Sequence, residues 1–441
     1  MKNLFVVTTK YSFILLMAFF VFLSFVILDD RKGKSHKAAI RLQSAMMYTM
    51  HFMGFAIIYM NTNKDSVVVF YGAQVIYFVV FKGLMSVIYE EYYNKGLLNT
   101  MCMLLTIGFI MITRLNFDKA IRQFIIVVVA SVAALILPDL ICRLRALATI
   151  TYVYCFAGLG FLATVLVIGQ ISNGAKLAIE IAGFSFQPSE FVKILYVFFL
   201  ASLLGKSTRF KYIIISALFA GFHVIILVLS RDLGSALIFF VVYVIMIFVA
   251  SCNVLYLLAG VGGGSLAAII AYKLFAHVRV RVQAYLDPWS VIDNEGYQVT
   301  QSLFAIGTGG LFGLGLYKGA PKNIPIVDQD FIFSAIAEEM GQFFALLLIV
   351  LYISCFIAFM KIAMEQEEMF YKLVSLGIGV SVMIQTLLTI GGAIKFIPST
   401  GVTLPLVSYG GSSILCTVLM FAVMQGIEVR TREIMEDKES E

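Results

Sequence analysis

KYIIISALFAGFHVIILVLSRDLGSALIFFVVYVIMIFVAS, residues 211–251, holds two apolar runs, 211–229 and 233–251, separated only by Ser230, Arg231 and Asp232. Each run has the roughly 17–25 residues that a helix needs to cross the roughly 30 Å hydrocarbon core of a bilayer. Neither shows the alternating polarity of a membrane β-strand. A helix, which satisfies its backbone hydrogen bonds within itself, is then the only spanning structure left. The stretch reads as a transmembrane hairpin with an Arg-Asp junction at its turn.

Similar runs recur along the whole chain, near 11–28, 44–60, 66–89, 97–114, 121–138, 147–169, 188–204, 340–361, 372–393 and 405–427, with one more at 254–276, giving thirteen expected spans. The composition agrees: 61% of the 441 residues are hydrophobic and 13% charged, with a mean hydropathy of +0.96. Ordinary soluble domains are about 45–50% apolar. The expected fold class is an all-α polytopic membrane bundle.

Short loops rich in Lys and Arg stay on the cytoplasmic side. Lys32, Lys34, Lys37 and Arg41 follow the first expected span, Arg143 and Arg145 the fifth, and Lys206, Arg209 and Lys211 the seventh. All three loops follow odd-numbered spans and therefore share a side. Alternation then places the N-terminus and the segments 171–186, 277–339 and 394–404 outside, with 428–441 inside. The net charge of +6 is mostly this orientation signal, favours anionic lipid head groups, and implies no nucleic-acid partner. The first span, long and followed by its basic run, reads as a retained anchor and not a cleaved signal. The six cysteines, at 102, 142, 155, 252, 355 and 416, show no metal or redox spacing.

Residues 1–95 hold three spans with short connectors and suggest no chemistry, so they read as a membrane-anchoring or partner-contacting extension. His51 is the polar oddity there, and a lone histidine in an apolar helix is more often satisfied by a neighbour than functional. Residues 96–428 form the ten-span core, and 429–441 a cytoplasmic tail. The outer segment 277–339 exceeds the roughly 12–15 residues above which unstructured loops become uncommon, and the apolar periodicity of 297–306 predicts a short helix inside it.

The chemistry-bearing residues gather at the outer ends of spans. IPIVDQDFIF, residues 324–333, carries Asp328 and Asp330 where a polar loop gives way to an apolar helix bearing Glu338 and Glu339. An acid at the mouth of a membrane cavity asks for a functional reason. Pro188-Ser189-Glu190 opens a span with Pro in the first turn, and Glu190 and Lys193 share a helix face. They read either as an interfacial charge pair or as cavity lining. Asp232 reads as an N-cap of the following helix, compatibly with lining a cavity. Arg279 and Arg281 offer planar donors suited to phosphate or serve as snorkelling residues, and Trp289 fits an interfacial anchor. The glycine array 307–315 lacks the Lys-Ser/Thr ending of a P-loop and points to turns or close backbone approach. Pro398-Ser-Thr-Gly-Val-Thr-Leu-Pro405 and Ser408-Tyr-Gly-Gly-Ser-Ser413 break an apolar hairpin. Such backbone at membrane depth lines a cavity or is buried in protein, a device transporters also use.

In combination these segments resemble the SEDS (shape, elongation, division and sporulation) family of bacterial cell-wall proteins, the FtsW, RodA and SpoVE group, from about 97 to 428. The likeness rests on Asn173-Gly-Ala-Lys176, Phe186-Gln-Pro-Ser-Glu190 with Lys193, Asp232-Leu-Gly-Ser235, Gly296-Tyr-Gln298 with Gln301-Ser302, Asp330-Phe-Ile-Phe333 with Glu338-Glu339, and 398–413. Departures are Leu177-Ala178 where members often have Arg-Trp, Arg231 where Pro is usual, and Ser235 where Thr is usual. The resemblance implies a ten-span core that polymerises lipid II, a polyprenyl-pyrophosphate-linked disaccharide-peptide, on the outer face of the bacterial cytoplasmic membrane. It also implies a class B penicillin-binding protein as partner and Asp330 as the essential acid.

Such a reaction needs a base for the acceptor hydroxyl and positive charge for the departing pyrophosphate. Asp330 is the expected base of an inverting transfer. Arg279, Arg281 or Lys193, with or without a divalent cation (Mg or Mn), would steady the pyrophosphate. Gln298, Gln301, Lys395 and Ser408 complete the expected binding set. Two other classes remain open: a lipid II flippase using Glu190, Lys193 and Asp232 as its polar path, and a non-enzymatic scaffold in which Asp330 is dispensable.

Overall fold

The computed structural model describes residues 2–29, 34–172, 175–181, 184–293 and 296–440. Sixteen α-helices are found among them: α1 (Lys2–Leu28), α2 (Lys34–Thr62), α3 (Asp65–Tyr89), α4 (Lys95–Leu115), α5 (Phe117–Arg143), α6 (Thr151–Ile168), α7 (Pro188–Lys206), α8 (Phe210–Leu229), α9 (Leu233–Ser251), α10 (Val254–Leu274), α11 (Ala276–Leu286), α12 (Tyr297–Gly309), α13 (Ile332–Met340), α14 (Gln342–Met364), α15 (Met369–Ala393) and α16 (Gly411–Ser440). Each of the thirteen expected spans falls on one of the long helices. Among the described residues, eleven helices are long and apolar enough to cross a membrane, which makes the chain a multi-pass membrane protein. The other two are α2, whose apolar residues are interrupted by Gln43, His51 and Asn61, and α6, whose described apolar stretch Thr151–Val167 is short.

Two features depart from the sequence reading, and a third agrees with it. The expected 171–186 loop carries a small antiparallel meander, β1 (Gln170–Ser172), β2 (Ala175–Ile181) and β3 (Phe184–Phe186), in the order β1-β2-β3. The expected helix at 405–427 begins only at Gly411, and α16 runs on through the expected tail to Ser440. Segment 277–339 is structured throughout much of its length, by α11, α12 and α13, and the predicted 297–306 helix is the body of α12.

The chain folds as two compact units, one comprising Met1–Leu135, Gln283–Ala358 and Thr386–Gly410, the other Ile136–Val282, Phe359–Gln385 and Gly411–Glu441. At the centre of the first unit is α4, buried along nearly its entire length. Asn94 caps it, its side chain accepting from the Leu97 N–H at 2.9 Å. Gly108 lets the non-helical segment 404–408 lie directly on α4, since a Cβ there would come within 2.8 Å of the Leu406 and Val407 carbonyl oxygens.

The first three helices belong to this unit and are joined to α4 by polar contacts. Lys82 of α3 donates to Ser44 of α2 at 2.6 Å and to Asn99 of α4 at 2.7 Å. The Asn99 amide donates in turn to the Ile40 carbonyl and the Gln43 side chain. His51, fully buried, meets Gln74 of α3 at 2.8 Å. In the second unit α7 is mostly buried whereas α10 has no buried residue among the described side chains, the pattern of a central helix and of one facing lipid.

Asn99→Leu removes four hydrogen bonds from a site where water is scarce. Single interhelical bonds in membranes contribute about 0.6–2 kcal/mol, so a loss of roughly 2 kcal/mol is expected on SDS-titration unfolding. A loss within error would show that this network does not hold the extension to α4.

Candidate functional site

Asp328 and Asp330 lie in the turn that leads into α13, and three connections fix the backbone there. Asp328, 5% exposed, forms an ion pair with Lys119 in the first turn of α5. Its carbonyl accepts from the Tyr409 N–H at 2.7 Å. The neighbouring Gln329 carbonyl accepts from the Ser408 hydroxyl at 2.5 Å, while that same oxygen accepts from the Leu404 N–H at 2.9 Å. Ser408 is thus both a closure of its own turn and a tie to the acid-bearing turn. Asp330, two residues on from the Asp328 ion pair, is half-buried.

Beyond Asp330, α13 is buried throughout. Glu339 takes Arg114, at the end of α4, in an ion pair of 3.0 Å and also accepts from the Tyr317 N–H at 3.0 Å. Glu338 accepts from the Ala320 N–H at 2.8 Å. Arg114 stacks over the Tyr317 ring at 4.2 Å, and Lys119 lies 5.1 Å from the centre of the Tyr409 ring. The glycine array serves this packing. A Cβ on Gly313, whose φ is +75°, would sit 2.5 Å from the Glu339 carbonyl oxygen, and one on Gly319 would sit 2.9 Å from the Glu338 carboxyl carbon. Close approach is therefore made to α13 itself.

Burial pushes the Glu339 carboxyl up to about 7, against the pull of Arg114, with a further push from Glu338. Burial raises Glu338 as well, while the Ala320 N–H and Arg114 pull it back. One oxygen of each carboxyl is buried without a hydrogen-bond partner among the described residues, a position that suits a proton better than a charge.

In the second unit, Glu190 and Lys193 are 4% and 1% exposed and paired at 2.9 Å, with Lys193 also donating to Gln385 at 2.6 Å. Gln385 continues to Ser413 at 3.2 Å. Asp232 caps α9 by accepting from the Ser235 N–H at 3.1 Å, and also accepts from Ser189 at 3.0 Å and Gln187 at 3.3 Å. Its backbone neighbour Arg231 has φ +62°, the left-handed turn that joins α8 to α9.

The remaining expected site residues are placed as follows. Arg279 is exposed and Arg281 half-buried on α11, in the second unit. Gln298 and Gln301 are half-buried one turn apart on α12, and Lys395 is half-buried just past α15 with φ +57°. Lys176 lies in β2, its backbone opposite Ile171, and Asn173 falls outside the described residues. Sequence reading missed Arg114, Lys119, Tyr317 and Tyr409. The signal was present: alternation from the basic loops puts the 115–120 connector on the outer side, flanked by two bases. Among the described residues no group of three or more His, Cys, Asp or Glu is gathered as for a metal.

Helices that cross a membrane, together with buried ion pairs and an acid held on ordered non-helical backbone, define a polytopic membrane protein with a built polar site. A family model described as cell cycle protein, the FtsW/RodA/SpoVE type, matches residues 95–433, and the chain belongs to that family, the SEDS proteins. The match begins at the start of α4 and leaves α1 to α3 outside it. The peptidoglycan glycosyltransferase RodA of Mycobacterium tuberculosis is 33% identical over 368 residues, covering 77% of this chain and 78% of that protein. A probable peptidoglycan glycosyltransferase FtsW of Tolumonas auensis is 34% identical over 286 residues, covering 62% and 74%. A solved structure described as the structural coordination of polymerization and crosslinking by a peptidoglycan synthase complex aligns with a TM-score of 0.65 at 29% identity, over 77% of this chain and 98% of that one.

The raised Glu339 carboxyl has a consequence for stability. A carboxyl with a folded pKa of about 7 and an ordinary value of 4.5 binds its proton more tightly when folded, so its stabilisation is complete below the unfolded value and is lost as pH rises through about 7. Thermal melting in nanodiscs is expected to fall between pH 5 and 8, and Glu339→Gln to flatten that slope. An unchanged slope in the variant would assign the dependence elsewhere.

Proposed function

We propose that the chain is a peptidoglycan glycosyltransferase that polymerises lipid II at the outer face of the bacterial cytoplasmic membrane, with Asp330 as its general base. The observation that supports this reading is the triple anchoring of residues 328 and 329, immediately before Asp330, by Lys119, Ser408 and Tyr409. A general base must be held within hydrogen-bond reach of the proton it removes, and the anchors fix the backbone from which Asp330 projects. Asp328, the nearby rival, is engaged with Lys119, which suits a structural role.

In the reaction, Asp330 takes the proton of the acceptor sugar hydroxyl as that oxygen attacks the donor's anomeric carbon. The new glycosidic bond forms with inversion, and the bond to the polyprenyl pyrophosphate breaks, the electron pair leaving with the phosphate oxygen. Lys193 is already neutralised by Glu190 and buried, which makes it a poor candidate for the pyrophosphate charge. Within the first unit, the contact of Lys10 with the Gly313 carbonyl puts the N-terminal end of α1 beside the turn after α12. That agrees with an N-terminus and a large loop on one side of the membrane. The relatives named as glycosyltransferases and the synthase-complex neighbour support the activity and a class B penicillin-binding protein as partner.

A flippase would need Glu190, Lys193 and Asp232 as a path that opens to substrate. Their burial and their hydrogen bonds, Lys193 with Glu190 and Gln385 and Asp232 with Ser189 and Gln187, favour instead a role in holding α7 to its neighbours.

Asp330→Asn is expected to lower polymerisation of labelled lipid II in proteoliposomes by roughly 10²–10⁴-fold while the protein still folds, with or without the cognate transpeptidase. Asp328→Asn should lose roughly tenfold by loosening the anchored turn, about the worth of one charged hydrogen bond. Undiminished polymer from Asp330→Asn would remove the base assignment. Lipid II crossing the bilayer without polymer would establish the flippase instead.

A further inference from the structure

The helices that precede the family match reach the acid-bearing segment. Lys10, on the first third of α1, donates from Nζ to the Gly313 carbonyl at 3.0 Å. The Tyr11 ring lies 5.6 Å from that of Phe312. The Val6 side chain occupies the space a Cβ on Gly315 would need, 2.8 Å away. Three side chains in the first part of α1, Val6, Lys10 and Tyr11, therefore meet a single turn, 312–315.

That turn is bonded to the far end of α13. Leu314 N–H donates to the Glu338 carbonyl at 3.0 Å and Gly315 N–H to the Glu339 carbonyl at 2.8 Å, and Tyr317 N–H reaches the Glu339 carboxylate. The helix starts at Ile332, two residues after Asp330. Nine residues at about 1.5 Å each make a rod of roughly 13 Å, so a shift of the turn at one end is carried to the acid at the other. Lys10 is half-buried, with its Nζ both on the Gly313 carbonyl and 5.1 Å from the centre of the Tyr11 ring, the ring that meets Phe312.

We infer that Lys10 is a positioning residue: the outer end of α1 clamps the 312–315 turn and, through α13, sets the position of Asp330. The inference rests on Asp330 as the base, but the clamp itself can be read without any activity. It gives the N-terminal extension a catalytic consequence specific to chains that carry it.

The test uses the full chain in nanodiscs and proteoliposomes, with Lys10→Met, Lys10→Arg and Tyr11→Leu compared by amide hydrogen exchange and by lipid II polymerisation. Lys10→Met is expected to speed exchange of the Leu314, Gly315 and Tyr317 amides roughly tenfold, the scale of one hydrogen bond. It should lower kcat roughly five- to tenfold with KM within about twofold, as expected of an interaction that matters in the transition state. Lys10→Arg should retain both, and Tyr11→Leu should show a smaller change of the same kind. Unchanged exchange in Lys10→Met overturns the clamp whatever the activity. Faster exchange with unchanged kcat overturns its role in the reaction, and an Arg variant as impaired as Met overturns the hydrogen bond as its cause. If the unaltered chain makes no polymer, the proposed activity fails while the exchange result still decides the clamp.

Discussion

Backbone that leaves the helical state beside a membrane must find hydrogen bonds inside the protein, because water is not there to supply them. Segments 394–410 and 310–330 meet this constraint by bonding to each other and to their surroundings. Ser408 and Tyr409 take the carbonyls of Gln329 and Asp328, the Tyr352 hydroxyl takes that of Pro405, and Thr389 takes that of Val402. Their order follows from this mutual dependence. Neither segment has a regular ladder of its own, yet each is fixed as firmly as a helix end.

The same constraint explains why the charged residues come in two kinds. Those in the second unit, Glu190 with Lys193 and Asp232 with its serine and glutamine donors, are saturated by their neighbours. An ion pair so deeply buried gains little net stability over an apolar equivalent, but removal of one partner leaves an uncompensated charge. Those of the first unit surround a turn: Arg114 and Lys119 pair with Glu339 and Asp328, the acids that flank Asp330 in sequence. A turn assembled this way is held through the residues on either side of Asp330.

How much of this was legible beforehand follows from the range of the forces involved. The spans were visible because twenty apolar residues in a row have one physical solution. Segment 324–333 stood out because an acid in that setting asks for a reason, and the family likeness singled out Asp330 as the proposed base. Arg114 and Lys119 were not read, because their meaning depends on which of several carboxylates folds back on them across some two hundred residues. The meander at 170–186 was hidden for another reason: β1 and β3, of three residues each, leave too short a pattern to mark the turns on either side of β2. The role of the glycines was half visible, as close approach was expected but the surface approached, α13 and not a ligand, was set by tertiary packing.

The length of α16 carries a different consequence. Thirty residues at about 1.5 Å each make a rod of roughly 45 Å, against a hydrocarbon core of roughly 30 Å. About ten residues must therefore stand in water as a continuation of the last span. Lys438 pairs with Glu367 at 2.7 Å and Arg430 with Glu368, so this projecting part has neighbours that give it a heading. A fluorescent reporter fused after α16 is carried on a stiff mast above the lipid surface, and its orientation reports the rotation of the last span within the bilayer.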